Sequence, residues 1–293
     1  MPLISNGVGR SVILVTGGAG RLGYEVVKLL LSRGEGVRVF DLPSINWAPL
    51  ETLSRVSLFK GDISDPRHVS RACKNVEAVI HLAAIMPPRS EVDERLTLGV
   101  NVDGTRNMLM ALKGVCPMVF ASSISVYGVT ADKKQPIDER RVLTAHDNYS
   151  RSKILGETLV AESGNPYTIL RISPITIADL VELPPIIPYN DQQRVEFIFV
   201  EDAAHAIVAA LKLVDEKETF NVAGGSSWRM LGHDYIDRFY TALGVEVEPR
   251  YSEVFTAVDW YDTSKSMRLG YQRTSFGDLE EKLKTVGTEY GLR

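Results

Sequence analysis

A continuous apolar run at residues 11–16 (SVILVT) leads straight into a cluster of glycines, and a helical pattern follows at once at residues 24–32 (YEVVKLLLS). That order admits few folds. An apolar run of strand length with no alternation is a strand buried on both faces, and such strands belong to parallel sheets. The helical run ends on Arg33 and Gly34, a cation and a stop signal, so the chain can turn back for the next strand. Residues 36–42, 56–63, 78–84 and 118–123 repeat the strand pattern, with helical stretches between them, notably 91–112 and 148–162. Strand–helix–strand repetition of this kind implies an α/β, doubly wound parallel sheet.

The glycines give that sheet a use. Gly18, Gly20 and Gly23 satisfy G-x-G-x-x-G, and Gly17, Gly20 and Gly23 satisfy a wider-spaced form of it. Glycine lets the turn be tight and lets backbone N–H groups approach a pyrophosphate, which then faces a helix N-terminus. An ordinary tight turn would also use such residues. Here, however, the strand, the glycines, the helix and a second strand are followed by Asp41, about 20 residues on, where an acid accepts hydrogen bonds from an adenosine ribose. The reading is a Rossmann-type dinucleotide-binding domain, with Gly17, Gly20, Arg21, Leu22, Gly23 and Asp41 at the cofactor. A carboxylate at Asp41 repels a 2′-phosphate, and Leu42 and Pro43 follow it with no Arg, so NAD is expected. Arg21 is the nearby cation that would argue for NADP; its other reading is a solvated residue at the helix start.

The second half changes texture. Residues 167–171 read as a strand, and Pro174, Pro184, Pro185 and Pro188 mark a loop-rich stretch. A short strand at 196–200, a helix at 201–213 and a helix at 230–243 follow. The expected division is a dinucleotide-binding domain of residues 1–173, to which 195–222 return, and a small C-terminal substrate lobe of 174–194 and 223–293. Open α/β sheets bind ligands at the carboxyl ends of their strands, which is where such a lobe belongs.

Composition narrows the classes. With 44% hydrophobic and 24% charged residues over 293, there is enough apolar material for a core. A net charge of −4 without a dense Lys/Arg block argues against nucleic acid or an anionic membrane as partner. Cys73 and Cys116 supply neither a disulfide framework nor a metal site. Residues 1–10 hold no apolar signal core, and the longest apolar stretches have strand length. The expectation is a cytoplasmic enzyme with no metal and no membrane span.

Tyr149 and Lys153 lie four apart, so on a helix they share a face. A free tyrosine titrates near ~10. An ammonium beside it and a cationic nicotinamide favour the phenolate, which can then take a proton from a substrate hydroxyl. By itself the pair could be an exposed helical feature. Residues 121–128 (ASSISVYG) end the fifth strand, at the ligand-binding edge, where Ser123 can hydrogen-bond a substrate oxygen; Ser122 and Ser125 are alternatives.

The chain resembles the extended short-chain dehydrogenase/reductase family, within the NAD-dependent epimerase/dehydratase group. The matching stretches run in family order: 16–23, Gly61-Asp62, 81–84 (HLAA), 101–105 (NVDGT), 122–128, 149–153, 199–202 (FVED), 220–222 (FNV) and 262–265 (DTSK). The resemblance implies that Asp62 and Ile63 border the adenine, that Leu82, Ala83 and Ala84 line the cofactor backbone, and that Asn101 lies on a helix beneath the site. It implies that Lys153 also holds the nicotinamide ribose, that Ser123 is the catalytic Ser/Thr, and that His81 and His205 are structural. It further implies a homodimer paired through helices 91–112 and 148–162.

Departures from the family matter as much. Its sugar-nucleotide dehydratases resemble one another in a Thr-Asp-Glu at the catalytic strand end; this chain has Ser123-Ile124-Ser125, which lacks the acid and base of water elimination. Nucleotide-sugar members tend to carry an Asn soon after the Leu-Arg of the sixth strand, whereas Leu170-Arg171-Ile172-Ser173 is followed here by Pro174. The stretch from Pro174 to the next strand is also short. Arg194 and Arg229 are the candidate phosphate contacts, and Ser123 and Ser125 complete the candidate substrate set. The leading reading is hydride transfer at a secondary hydroxyl of a sugar or nucleotide-sugar, epimerase-like. The alternatives are a dehydrogenase or reductase of a smaller alcohol or ketone, and a non-catalytic dinucleotide-sensing regulator.

Overall fold

The computed structural model describes residues 12–131, 135–179 and 183–292. Ser11 and residues 1–10, on which the reading of the start rests, lie outside them. The first half alternates as its sequence pattern requires: β1 (Val12–Thr16), α1 (Arg21–Ser32), β2 (Gly36–Asp41), α2 (Ala48–Glu51), β3 (Val56–Lys60), α3 (Pro66–Ala72) and β4 (Ala78–His81). Then come α4 (Glu94–Leu98), α5 (Gly104–Leu112), β5 (Met118–Ser123), α6 (Asn148–Glu162) and β6 (Tyr167–Ile172). The remainder holds β7 (Ile175–Thr176), β8 (Arg194–Val195), β9 (Ile198–Phe199), α7 (Val200–Ala210), β10 (Glu218–Val222), β11 (Met230–Leu231), α8 (Gly232–Leu243) and α9 (Phe276–Glu289).

Seven strands form one sheet in the order β10-β6-β5-β4-β1-β2-β3. The pairs β1–β2, β1–β4, β2–β3 and β4–β5 are parallel. Strand order reverses between β1 and β4, the switch point where a doubly wound sheet opens a crevice at its carboxyl edge. Thr16 pairs with His81 across that point. The Rossmann-type α/β fold expected from the sequence is the fold of the chain.

Two compact units divide it: one of residues up to Ser122, Asp147–Leu170 and Ala204–Thr219, and one of Ser123–His146, Arg171–Ala203 and residues from Phe220 on. The core of the first packs Leu14, Phe40, Val79, Met108, Met118, Phe120 and Ile169, from strands and the helices over them. The core of the second packs Val195, Phe199, Trp228, Tyr235, Leu243, Phe276 and Leu279, with α8 and α9 supplying most of it. Among the described residues no helix is long and apolar enough to cross a membrane.

Three expected elements differ. The single helix at 91–112 is α4 and α5 joined by a π turn, Gly99–Asp103, and preceded by a short 3-10 turn, Arg89–Glu91. Asp93, just past that turn and in extended conformation, caps α4 by accepting from the Leu96 N–H, so the helix cannot begin earlier. Of the strand expected at 196–200 only β9, Ile198–Phe199, forms; β8 lies just before it, and Val200 already begins α7. Met230 and Leu231, expected in a helix, pair antiparallel with β8, and α8 starts after them.

Candidate active site

Gly17 is at φ +68, where side chains are strained, and a Cβ on it would lie 2.8 Å from the Ala83 backbone nitrogen. A Cβ on Gly23 would lie 2.2 Å from the Gly17 carbonyl oxygen and 2.6 Å from the Gly18 Cα. The loop is folded on itself at a spacing only hydrogen allows. Gly20 is the N-cap of α1, with no side-chain cap and no acid in the first turn, so the positive end of the helix is left to an external anion. Asp41 ends β2 and accepts from the Ala19 N–H at 3.1 Å and from the Leu42 N–H at 2.8 Å. Burial raises its carboxyl above the usual value, and those two N–H groups oppose the rise. The residues fit a dinucleotide: a glycine cradle, an uncapped helix start, and an acid held against the loop.

A chain of hydroxyls fixes the switch point. The Thr16 hydroxyl accepts from the N–H groups of Leu82 and Ala83, both at 3.2 Å. Its own proton therefore goes to His81 Nδ1, 2.7 Å away. That sets the tautomer: Nε2–H donates to the Thr105 hydroxyl at 3.0 Å, which donates to the Asn101 carbonyl at 2.7 Å. Burial, and then the charge of Lys153, push His81 down to about 3, so it is a neutral relay. Its role is structural, as its motif position implied.

Asn101 sits in the π turn and is buried. Its Oδ1 accepts from the Ile85 N–H at 2.7 Å, and its Nδ2 donates to the Ile85 carbonyl and to the Ser152 hydroxyl. The wider turn of a π segment rotates one residue out of the α-helical register, and π turns recur at functional sites. The side chain thereby braces the loop after β4, which carries Leu82, Ala83 and Ala84, against α6. Asp62 and Ile63 follow β3; the Asp62 N–H donates to His68 Nδ1, and the Ile63 carbonyl accepts from Asn107 Nδ2.

Helix α6 starts where the sequence places it. Asp147 accepts from the Ser150 N–H at 2.7 Å and Ser150 Oγ accepts from the Asp147 N–H, a capping box. The Glu91 carboxylate accepts from the N–H groups of Asn148 and Tyr149 at 2.9 and 3.2 Å. Tyr149 is thus held at the first turn. One turn later Lys153 is buried, with Nζ donating to the Ala121 carbonyl at 2.8 Å and lying 5.7 Å from the centre of the Tyr149 ring. Burial pushes the Lys153 ammonium down to about 8, while the charge of Glu157 pulls it up. A cation against an aromatic ring at this range is attracted to its face. Lys153 is thus buried, and the Tyr149 ring beside it is half-buried.

In the other unit, Ser123 ends β5 and its Oγ accepts from the Ser125 N–H at 3.2 Å, while Ser125 Oγ is buried with no protein partner. Arg194 pairs with Asp259 at 2.6 Å and lies over the Trp260 ring. Arg229 donates from Nε to Glu196 at 2.9 Å and also bonds the Tyr261 carbonyl. Both carboxylates are buried, and burial raises each above its usual range. The two arginines offered by the sequence as phosphate contacts thus meet internal acids. Tyr127 and Asn221, both in motif stretches, form one buried cluster with Arg171: Arg171 donates to the Tyr127 hydroxyl, which donates to Asn221.

The model of the 3-beta hydroxysteroid dehydrogenase/isomerase family matches residues 14–178, more than half of the chain and every element from β1 to α6. The chain belongs to that family. The extended short-chain dehydrogenase/reductase resemblance, with its epimerase/dehydratase grouping, is borne out. Two of its relatives are dehydrogenases. It is 33% identical over 162 residues to D-erythronate dehydrogenase of Cupriavidus necator, covering 51% of this chain and 49% of that one. It is 27% identical over 264 residues to the decarboxylating sterol-4-alpha-carboxylate 3-dehydrogenase of Mus musculus, covering 81% and 70%. The chain spans about half the length of the first of these relatives. A UDP-glucose 4-epimerase of Thermus thermophilus, solved with NAD, shares the fold at TM-score 0.80 and 23% identity, over 96% of this chain and 99% of that one.

Sequence reasoning assigned no role to three groups that bond around the candidate site residues: Glu91, Glu157 and the Thr16–Thr105 hydroxyl pair. Glu157 carried a signal, standing one turn beyond Lys153 on the same face. Thr16 and Thr105 stood in the matching stretches 16–23 and 101–105, whereas Glu91 joins segments far apart in the chain and carried none.

Proposed function

We propose that this chain is an NAD-dependent oxidoreductase acting at a secondary hydroxyl of a sugar or nucleotide-sugar, epimerase-like. The observation that carries it is Lys153, buried on the Ala121 carbonyl against the Tyr149 ring, in a unit that also holds the glycine cradle and the Asp41 carboxylate bonded to it. Bound NAD supplies the acceptor for the hydride that leaves the substrate carbon. Gly17, Gly20, Arg21, Leu22 and Gly23 hold its pyrophosphate, Asp41 its adenosine ribose, and Asp62 and Ile63 its adenine. Leu82, Ala83, Ala84 and Asn101 shape the wall it lies on. Tyr149 takes the substrate's hydroxyl proton, Lys153 favours the phenolate that accepts it, and Ser123 orients the oxygen. Asp41 favours NAD over NADP because a half-buried carboxylate repels a 2′-phosphate.

A second reading has its own observation. Arg194 and Arg229 are each ion-paired to a buried carboxylate, which favours a substrate without a diphosphate, oxidised outright by a dehydrogenase. The relationship to D-erythronate dehydrogenase supports the same reading. Incubation with NAD⁺ or NADP⁺ and a panel of nucleotide-sugars, sugars and sugar acids separates the two. A changed sugar without net NADH marks an epimerase, and net NADH marks a dehydrogenase. Turnover of none of them, or a preference for NADP⁺, overturns the proposal.

A further inference from the structure

Three consecutive residues of β5 meet three positions of α6. The Phe120 ring lies against Gly156, where a Cβ would come within 2.7 Å of the ring Cζ. The Ala121 carbonyl accepts from Lys153 Nζ at 2.8 Å, and Ser122 Oγ donates to Glu157 Oε1 at 2.5 Å. Gly156 lets helix and strand approach closely, and that approach closes Lys153 and Glu157 off from water: they are 5% and 6% exposed. One turn apart, they share a face of α6. Opposite charges buried together depend on each other, because removing one leaves the other unpaired in a dry interior.

The other charged groups on the elements packed against α6 lie elsewhere or are neutral. His81, beside Phe120 on the sheet, is neutral in its hydroxyl chain. Glu91 and Asp147 bind the N–H groups at the start of α6. Arg151 pairs with Glu94, and Asp103 with Arg106, at the exposed surface, where Arg89, Arg95 and Glu162 also lie. Among the described residues of these elements, Glu157 is the buried carboxylate on the face of Lys153.

We propose that Glu157 is a positioning residue that keeps Lys153 protonated inside the protein, so that Lys153 can act on Tyr149. Its action on Tyr149 rests on the oxidoreductase reading; the charge coupling does not. The direction of the Lys153 shift agrees, since burial lowers it to about 8 and Glu157 is the group that opposes.

The test is NMR titration of the ¹³Cε-lysine-labelled protein, with Lys153→Met assigning the Lys153 signal. Glu157→Gln keeps the shape and an acceptor for Ser122 but removes the charge. The Lys153 midpoint is expected to fall by about one pH unit or more, tenfold in its ionisation constant. Ser122→Ala keeps the charge and should leave the midpoint nearly in place. Should Glu157→Gln fail to fold, Glu157→Asp draws the charge back by one methylene and should give a smaller fall. In turnover, the alkaline limb of the kcat pH profile should move to lower pH by the same amount in Glu157→Gln. An unmoved Lys153 midpoint in folded Glu157→Gln, or in Glu157→Asp where that is the variant that folds, overturns the proposal. A shifted midpoint in a protein that turns over no substrate upholds the coupling and counts against the oxidoreductase reading instead.

Discussion

The Asn101 amide donates to the Ser152 hydroxyl at 2.9 Å, joining a π turn to the residue beside Lys153. Ser152 passes the bond on to the Tyr149 carbonyl at 2.7 Å. The same Asn101 side chain closes both backbone groups of Ile85. One amide therefore ties the loop after β4, the proposed cofactor wall, to α6, the helix that carries the proposed reacting pair. Asn101→Ala should leave the Ile85 N–H and carbonyl without their partner. Orphaned buried groups cost about 1–3 kcal/mol each. A lowered urea midpoint together with weaker NAD binding is the expected result; unchanged values of both would remove Asn101 from the cofactor wall.

The glycines should not be equivalent. A Cβ at Gly23 would strike backbone at 2.2 Å, whereas one at Gly20 would meet the Gly17 carbonyl at 3.3 Å. Backbone cannot turn aside as a side chain can. Gly23→Ala is expected to abolish NAD binding and to lower stability by about 1–3 kcal/mol. Gly20→Ala should fold normally and bind NAD more weakly. Fluorescence titration with NADH and thermal unfolding check both.

Tyr149→Phe removes one hydroxyl and leaves the ring under Lys153. Proton transfer in the transition state is typically worth about 10² to 10⁴ in rate, so kcat should fall by that factor with NAD affinity retained. Lys153→Met removes the ammonium as well as its bond to Ala121, and both kcat and NAD affinity should fall. Ser123→Ala should lie between them, losing orientation but not the base. Near-full activity in Tyr149→Phe would return the pair to a structural role.

His81 makes stability depend on pH. Its unfolded value is near ~6.5, and in the fold it stands at about 3. Between those values the unfolded chain binds the proton and the native one does not, so stability is fully present above pH ~6.5 and is lost as pH falls toward 3. The slope is at most about 1.4 kcal/mol per pH unit for this group. His81→Gln retains partners for Thr16 and Thr105 and should show a shallower fall of the urea midpoint over that range. An identical pH slope in the variant would show that His81 does not supply it.

Leu96 on α4, Met110 on α5 and Leu155 on α6 are exposed. Apolar side chains on three neighbouring helices are suited to a second copy of the chain. A homodimer is expected, with light scattering giving twice the chain mass of 32.4 kDa. The monomer mass at micromolar concentration would rule it out.

Local signals made much of this protein legible from its residues. β5 and α6 have the bounds read from the sequence, because an apolar run and helical spacing are written in neighbouring residues. The glycine loop was legible because a left-handed φ at Gly17 and a close approach at Gly23 each exclude any other residue. The spacing of Tyr149 and Lys153 placed them on one face.

Only the tertiary structure decided what those residues meet. It broke the helix at 91–112 with a π turn, since turning Asn101 toward Ile85 and Ser152 rewards a register that propensity alone does not encode. It gave Arg194 to Asp259 and Arg229 to Glu196, partners far along the chain whose pairing depends on where loops land. It also set Glu157 beneath Ser122 and Lys153 beneath Ala121. Sequence periodicity specifies which face of an element is buried; the partner across the interface depends on packing between distant segments, and so does the charge a buried group can hold.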